Sequence, residues 1–160
     1  MARGPVTSRV IDWATASPAR SSHGPANGGG RDDEGTDRVI DYAEVGTSYI
    51  AMWNATDEQD RAKLVAGLCT DDARYVDPTV VAEGSEAIAA TIAGAQQQFP
   101  GWTFRLAGPI DGHHNQTRFT WEFGPAGVDA PVAGFDVAVL TDEGKVVAVY
   151  GFLDKVPAAL

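Results

Sequence analysis

From residue 39 onward, the apolar positions change period once, and the change divides the chain into helices and strands. Tyr42, Val45, Tyr49 and Met52/Trp53 recur every three to four residues, the spacing of one helix face; Asp37 can cap this helix, and it should end near Asn54. Thr56-Asp-Glu-Gln59 reads as a capping box opening a second helix, with Leu64, Val65 and Leu68 as its buried stripe and Asp71-Asp72 as its break. Ala73–Asp77 then predicts a short strand stopped by Pro78, because the residue before a proline disfavours helix. Ser85 can cap a third helix with Ile88, Ile92, Ala95 and Phe99 facing inward, ended by Pro100-Gly101.

From Trp102 the period becomes two. Trp102, Phe104 and Leu106 alternate with Thr103 and Arg105, and Phe119, Trp121 and Phe123 alternate with Arg118, Thr120 and Glu122, with a turn over 111–115 between them. A second hairpin runs from Ala133 to Leu140, turns through 141–144 and returns from Lys145 to Leu153. This order predicts an α+β fold: a curved antiparallel sheet with three helices from the N-terminal side over its concave face, enclosing a pocket.

Upstream, residues 14–36 are built of Gly, Pro, Ser, Ala, Asn and charge, with too little apolar surface to offset the entropy of ordering. Residues 1–38 are therefore expected to form a disordered tail ahead of a domain spanning 39–160. Arg-Val-Ile-Asp-Trp-Ala at 9–14 nearly repeats as Arg-Val-Ile-Asp-Tyr-Ala at 38–43. One repetition does not make a solenoid; it reads as chance or a duplicated remnant, or as a first copy able to dock where the second does.

Charge sharpens the picture. The 160 residues carry 12 basic and 22 acidic side chains, a formal net charge of -10. Five of each fall in 1–38, leaving 7 basic against 17 acidic for the domain. That balance excludes a nucleic-acid partner, which needs a basic stripe. No run approaches the ~18 apolar residues of a membrane span, so no membrane partner is expected. The N-terminus lacks the apolar core of a secretory signal, so a cytoplasmic protein is expected. Cys69 is the single cysteine, which excludes an intramolecular disulfide and a multi-cysteine metal site. Gly28-Gly29-Gly30 follows no strand and reads as linker rather than a phosphate loop. His113-His114 reads as a solvent-exposed turn, since adjacent side chains point apart and no third ligand is in view.

Three polar residues interrupt the apolar pattern. Tyr49 lies on the inward stripe of the first helix, as a core tyrosine with one partner or as a pocket donor. Asp77 ends a strand, as a turn aspartate before proline or as a base. Asp136 sits in Gly134-Phe-Asp-Val-Ala-Val-Leu140, where both faces are otherwise apolar; it reads as an edge-strand residue, a partner of Arg105 or Arg118, or a carboxyl in dry surroundings. Burial of the last kind favours the protonated form. A neutral acid and a tyrosine together can hold a developing oxyanion while an ionised aspartate removes a proton beside a carbonyl.

Tyr49–Asp57, the segment Asp71-Asp-Ala-Arg-Tyr-Val-Asp-Pro78, Gly134-Phe-Asp136 and Gly144-Lys-Val-Val147 together resemble the nuclear-transport-factor-2-like superfamily, in its SnoaL-like and ketosteroid-isomerase-like branches. The resemblance implies a cone-shaped pocket, with Asp77 as base and Tyr49 and Asp136 holding the enolate oxygen, the division of pKa values for which ketosteroid isomerase is the standard example. It implies cofactor-free enolisation of an apolar cyclic carbonyl compound, steroid- or polyketide-like, with Trp53, Phe104, Phe119 and Trp121 as pocket aromatics. It also implies a homodimer through the outer sheet face. A SnoaL-type polyketide cyclase, and a non-catalytic binding or dimerisation module of the same fold, are the alternatives. The long turn 124–131 and the pocket aromatics depart from the isomerases.

Overall fold

The computed structural model describes residues 39–157, so the expected tail over 1–38 and the first copy of the near-repeat lie outside the described residues. The elements are α1 (Tyr42–Asn54), α2 (Glu58–Leu68), β1 (Cys69–Val76), β2 (Val81–Glu83), α3 (Ser85–Gln98), β3 (Thr103–Leu106), β4 (Asp111–His113), β5 (Gln116–Gly124), β6 (Val132–Leu140) and β7 (Val146–Lys155). The expected α+β class holds, with three helices against one curved sheet.

Every expected helix forms, but each begins differently from the sequence expectation. Asp41, not Asp37, caps α1, its side chain accepting from the Glu44 N–H. Asp57 rather than Thr56 caps α2, accepting from the Asp60 N–H. Either aspartate is one of the short acceptors favoured before a first helical turn, so the choice falls to the chain path. Ser85 starts α3 but does not cap it; Gly84 precedes it at φ 87, a left-handed value glycine adopts without strain.

The sheet corrects the expected all-antiparallel arrangement. Its order is β2-β1-β7-β6-β5-β3, with β4 on β5, and β1 runs parallel to β7, pairing Tyr75 with Val149 and Val76 with Tyr150. A two-residue period marks a strand but not its neighbour's direction. Asp71-Asp72 do not break α2 either. They lie within β1, which starts at Cys69 directly after the helix and shifts register between Cys69 and Arg74. Lys145 closes the helix end instead, its ammonium donating to the carbonyls of Ala66 and Gly67, as cations do at helix C-termini.

Packing of α1 follows the periodic stripe: Val45, Tyr49, Met52 and Trp53 are buried. In α2 the stripe is Arg61 and Val65, while Leu64 is exposed. Arg61 turns inward because its guanidinium donates to the carbonyls of Ala55 and Thr56, at 3.1 and 3.3 Å, binding the α1–α2 junction. At the edge of the sheet, the Asn54 side chain acts as one more strand residue. It donates to the Phe104 carbonyl and accepts from the Phe104 N–H, both at 2.8 Å. Asn54→Ala leaves that pair of backbone groups without its partner, so unfolding in denaturant should show a loss of about 1–3 kcal/mol. An unchanged midpoint would mean that water replaces the side chain.

Candidate active site

The helices cover the concave face of the sheet and leave a cavity of about 540 Å³, within the usual range for small-molecule sites. Trp53, Phe104 and Trp121 line it, together with Tyr49, Asp77 and Asp136. Phe119, the fourth expected pocket aromatic, does not. It pairs with Asp136 in the β5–β6 register but packs against the Tyr49 ring at 4.9 Å, deeper beneath α1. Gly46 on the helix stands close above it, where a β-carbon would come within 3.5 Å of the Phe119 ring.

Period-two alternation on β6 turns Asp136 inward with Ala138 and Leu140, so the two alternatives of a water-facing edge residue and an arginine partner fall away. Arg105 pairs with Glu122 at 2.9 Å, and Arg118 with Asp111 at 3.6 Å. Asp136 is 2 % exposed and accepts from the Tyr49 hydroxyl at 2.6 Å through Oδ2. Its Oδ1 has no hydrogen-bond partner among the described residues. Burial pushes the Asp136 carboxyl above the ordinary range; the Tyr49 hydroxyl and the Trp121 indole pull against that shift, and the Asp77 charge adds to it. Tyr49 is raised well above an ordinary phenol, by burial first and then by the Asp136 charge.

Asp77 sits where β1 leaves the sheet. Its Oδ1 accepts from the Thr79 N–H, the Thr79 hydroxyl and the Val80 N–H, at 2.7, 2.7 and 2.9 Å. This is the turn geometry expected of an aspartate before proline, and it coexists with a place in the cavity. The second oxygen, Oδ2, accepts from Tyr75 at 2.8 Å. Tyr75 is a cavity residue that the sequence analysis did not single out. The signal was present: it stands two residues before Asp77 in the strand expected over 73–77, hence on the same side. Its phenol is pushed up by burial and by the charges of Asp136 and Asp77.

Gly151 on β7 leaves room for both aspartates. It pairs with Asp136, and a β-carbon there would lie 2.8 Å from Asp136 Oδ1, 3.2 Å from the Asp77 β-carbon and 3.6 Å from the Tyr75 hydroxyl. Gly151→Ala should therefore cost about 1–3 kcal/mol in chemical denaturation, the usual penalty for overpacking. Wild-type stability in that variant would show that the Asp136 side chain can shift to admit the β-carbon.

The turn histidines do not point apart as expected. His114 has φ 53, and this left-handed step brings the two Nδ1 atoms to 3.2 Å. Among the described residues, no three His, Cys, Asp or Glu side chains gather in a metal-binding arrangement, and no helix is long and apolar enough to cross a membrane.

Three helices over a curved, unclosed mixed sheet with a cavity at its concave face define the nuclear-transport-factor-2-like fold. A SnoaL-like domain profile matches residues 47–149, and the chain belongs to the SnoaL-like family. It is similar to a candidate isomerase of that family from Agrobacterium tumefaciens, with 42% identity over 71% of this chain and 97% of the other, at a TM-score of 0.68. More distant structures share the fold. One is a candidate polyketide cyclase from Sinorhizobium meliloti (12% identity, 68% and 93% of the chains, TM-score 0.55). Another is a candidate ketosteroid isomerase from Kribbella flavida (16%, 73% and 80%, TM-score 0.54). No curated protein sequence matches the chain.

Proposed function

We propose that the cavity enolises an apolar, cyclic carbonyl compound without a cofactor. One observation carries this reading: two carboxyls share a largely apolar cavity, each bonded to its own tyrosine, with Asp136 buried and Asp77 half-exposed. Two carboxyls in unlike surroundings can divide acid and base roles. Asp77 takes a proton from the carbon beside the carbonyl, and the electron pair moves onto the carbonyl oxygen. Asp136, protonated on Oδ1, donates to that oxygen as it gains charge. Tyr49 stabilises the oxygen one step removed, because its own proton is engaged on Oδ2. Returning the proton from Asp77 to a different carbon gives an isomer. Attack of the enolate on a second carbonyl of the same molecule gives a ring, the cyclase variant of the same chemistry.

Deuterium exchange tests the common first step. With 2-tetralone in heavy water, the protein is expected to accelerate loss of the α-proton signals in NMR above the buffer rate. If exchange runs at the buffer rate while the ketone binds, the protein is a binding module and the catalytic reading falls.

The outer face of β6 and β7 carries the partner expectation. Phe135 and Phe152 stack there at 5.0 Å and 12°, with Phe152 52% and Tyr150 42% exposed. A stacked, exposed aromatic pair on the sheet surface supports self-association through a second copy. Phe152→Glu should halve the mass seen by light scattering. A wild-type protein that is monomeric at tens of micromolar would overturn the dimer.

A further inference from the structure

The cavity holds more unsatisfied hydrogen-bonding capacity than the carboxyl pair alone. Among the described residues, four buried side-chain atoms lack a partner, and three of them belong to cavity residues: Asp136 Oδ1, Trp121 Nε1 and Trp53 Nε1. Their side chains are deeply buried, with residue exposures of 2 %, 7 % and 6 %. A buried polar atom left unpaired is destabilising. Of the three, Trp53 Nε1 stands near enough to the Tyr49 hydroxyl to act on it, so Trp121 Nε1 and Asp136 Oδ1 are the pair a ligand would satisfy. An indole N–H only donates.

The two indoles stand in different places. Trp53 lies against Tyr49 and Tyr75, with ring centroids at 6.3 and 5.4 Å. Trp121 lies on β5 opposite Gly134, the residue two before Asp136 on the same side of β6. A Gly134 β-carbon would fall 2.8 Å from Cζ2 and 3.1 Å from Cη2 of its indole. The missing side chain thus lets the benzo edge lie across β6, bringing the indole towards Asp136. The N–H is near enough to pull the Asp136 carboxyl downward, yet it does not complete a hydrogen bond to it. Between this donor and Asp136 Oδ1 a ligand oxygen can meet both.

Tyr49 is not available for that place, since its hydroxyl proton already sits on Asp136 Oδ2 at 2.6 Å. We propose that Trp121, through its indole N–H, supplies the second hydrogen bond to the substrate oxygen beside Asp136, and that Tyr49 is a positioning residue acting through Asp136. The inference rests on the enolisation reading and narrows the substrate class. The recognised group must carry an oxygen able to accept from Trp121. It pairs with Asp136 either by accepting, as a ketone or enolate, or by donating, as an enol or phenol.

Calorimetric titration of full-length protein with 2-naphthol, and with naphthalene as the oxygen-free control, separates the contributions. Wild type should prefer 2-naphthol. Trp121→Phe keeps the ring and removes the N–H, and should weaken 2-naphthol by about five- to tenfold, the worth of one hydrogen bond, while leaving naphthalene unchanged. Tyr49→Phe should weaken 2-naphthol less than Trp121→Phe does. Equal weakening of both compounds in Trp121→Phe would assign Trp121 to packing and overturn the proposal. If the preference survives in Trp121→Phe but vanishes in Asp136→Val, the oxygen site stands and Trp121 is not part of it. Should wild type show no preference for the hydroxyl, the oxygen site itself is wrong, and the enolisation reading falls with it. An NMR measurement on unaltered protein guards against a poorly folded variant. The Trp121 indole proton, assigned through its contact with Gly134, should move further downfield with 2-naphthol than with naphthalene, and an equal shift for the two would likewise overturn the proposal.

Discussion

Asp77→Asn is expected to lower 2-tetralone exchange by at least about 10²-fold while leaving the fold intact, within the range for loss of a general base. The separation of the two effects comes from the geometry. Three donors hold Oδ1 in the turn after β1, and an amide oxygen can accept from the same three. The other oxygen becomes an NH2 group, to which the Tyr75 hydroxyl can rotate as acceptor. What the amide cannot do is take up a carbon-bound proton. Thermal unfolding should therefore stay near that of wild type as exchange collapses. Full exchange in a folded Asp77→Asn variant would remove Asp77 from the role of base.

Asp136 should show the opposite coupling between stability and activity. Its native carboxyl is pushed above the ordinary value of 3.8, chiefly by burial. The folded state therefore retains a proton that the unfolded chain has already released. Stability from this group is fully present below the unfolded value and is lost as pH rises through the native one. Asp136→Asn keeps an oxygen for the Tyr49 hydroxyl and removes the titration. Denaturant midpoints measured from pH 4 upward should fall less steeply in the variant, and at neutral pH the variant should match or exceed wild type. Asp136→Val removes the carboxyl donor to the substrate oxygen, leaving the Trp121 indole alone, and should reduce exchange about 10²–10³-fold, as for loss of one oxyanion-site donor. A pH–stability curve identical in wild type and Asp136→Asn would mean that the carboxyl reaches water and keeps its ordinary titration.

Several features of this protein were legible without coordinates because they depend on local physics. Val45, Tyr49, Met52 and Trp53 are buried as their spacing requires, since an isolated helix has a fixed period and one face must meet the core. Asp136 faces inward with Ala138 and Leu140, because alternation along a strand leaves only two faces to choose from. The anomaly of a carboxyl among apolar residues carried over directly into a buried group with a raised pKa. Caps were legible in kind but not in position: aspartate serves α1 and α2, at Asp41 and Asp57 rather than at the expected residues.

Other features depend on which segments meet, and a single chain's periodicity does not record that. The parallel pairing of β1 with β7 joins residues more than seventy positions apart, and it brings the end of β1, with Tyr75 and Asp77, beside Gly151. Phe119 looks like its neighbours Trp121 and Phe123 on β5, yet the path of α1 overhead removes it from the cavity. The assignment of Tyr49's proton to Asp136, and of the Trp121 indole donor to no partner, follows from distances across three different elements. The sequence determined which residues face inward on α1 and along the strands, though not on α2, where Arg61 is buried and Leu64 exposed, because burial follows periodicity wherever backbone groups do not claim the side chain. Tertiary structure alone decided which of those inward groups face one another, because pairing across a sheet is a long-range choice made by the whole core.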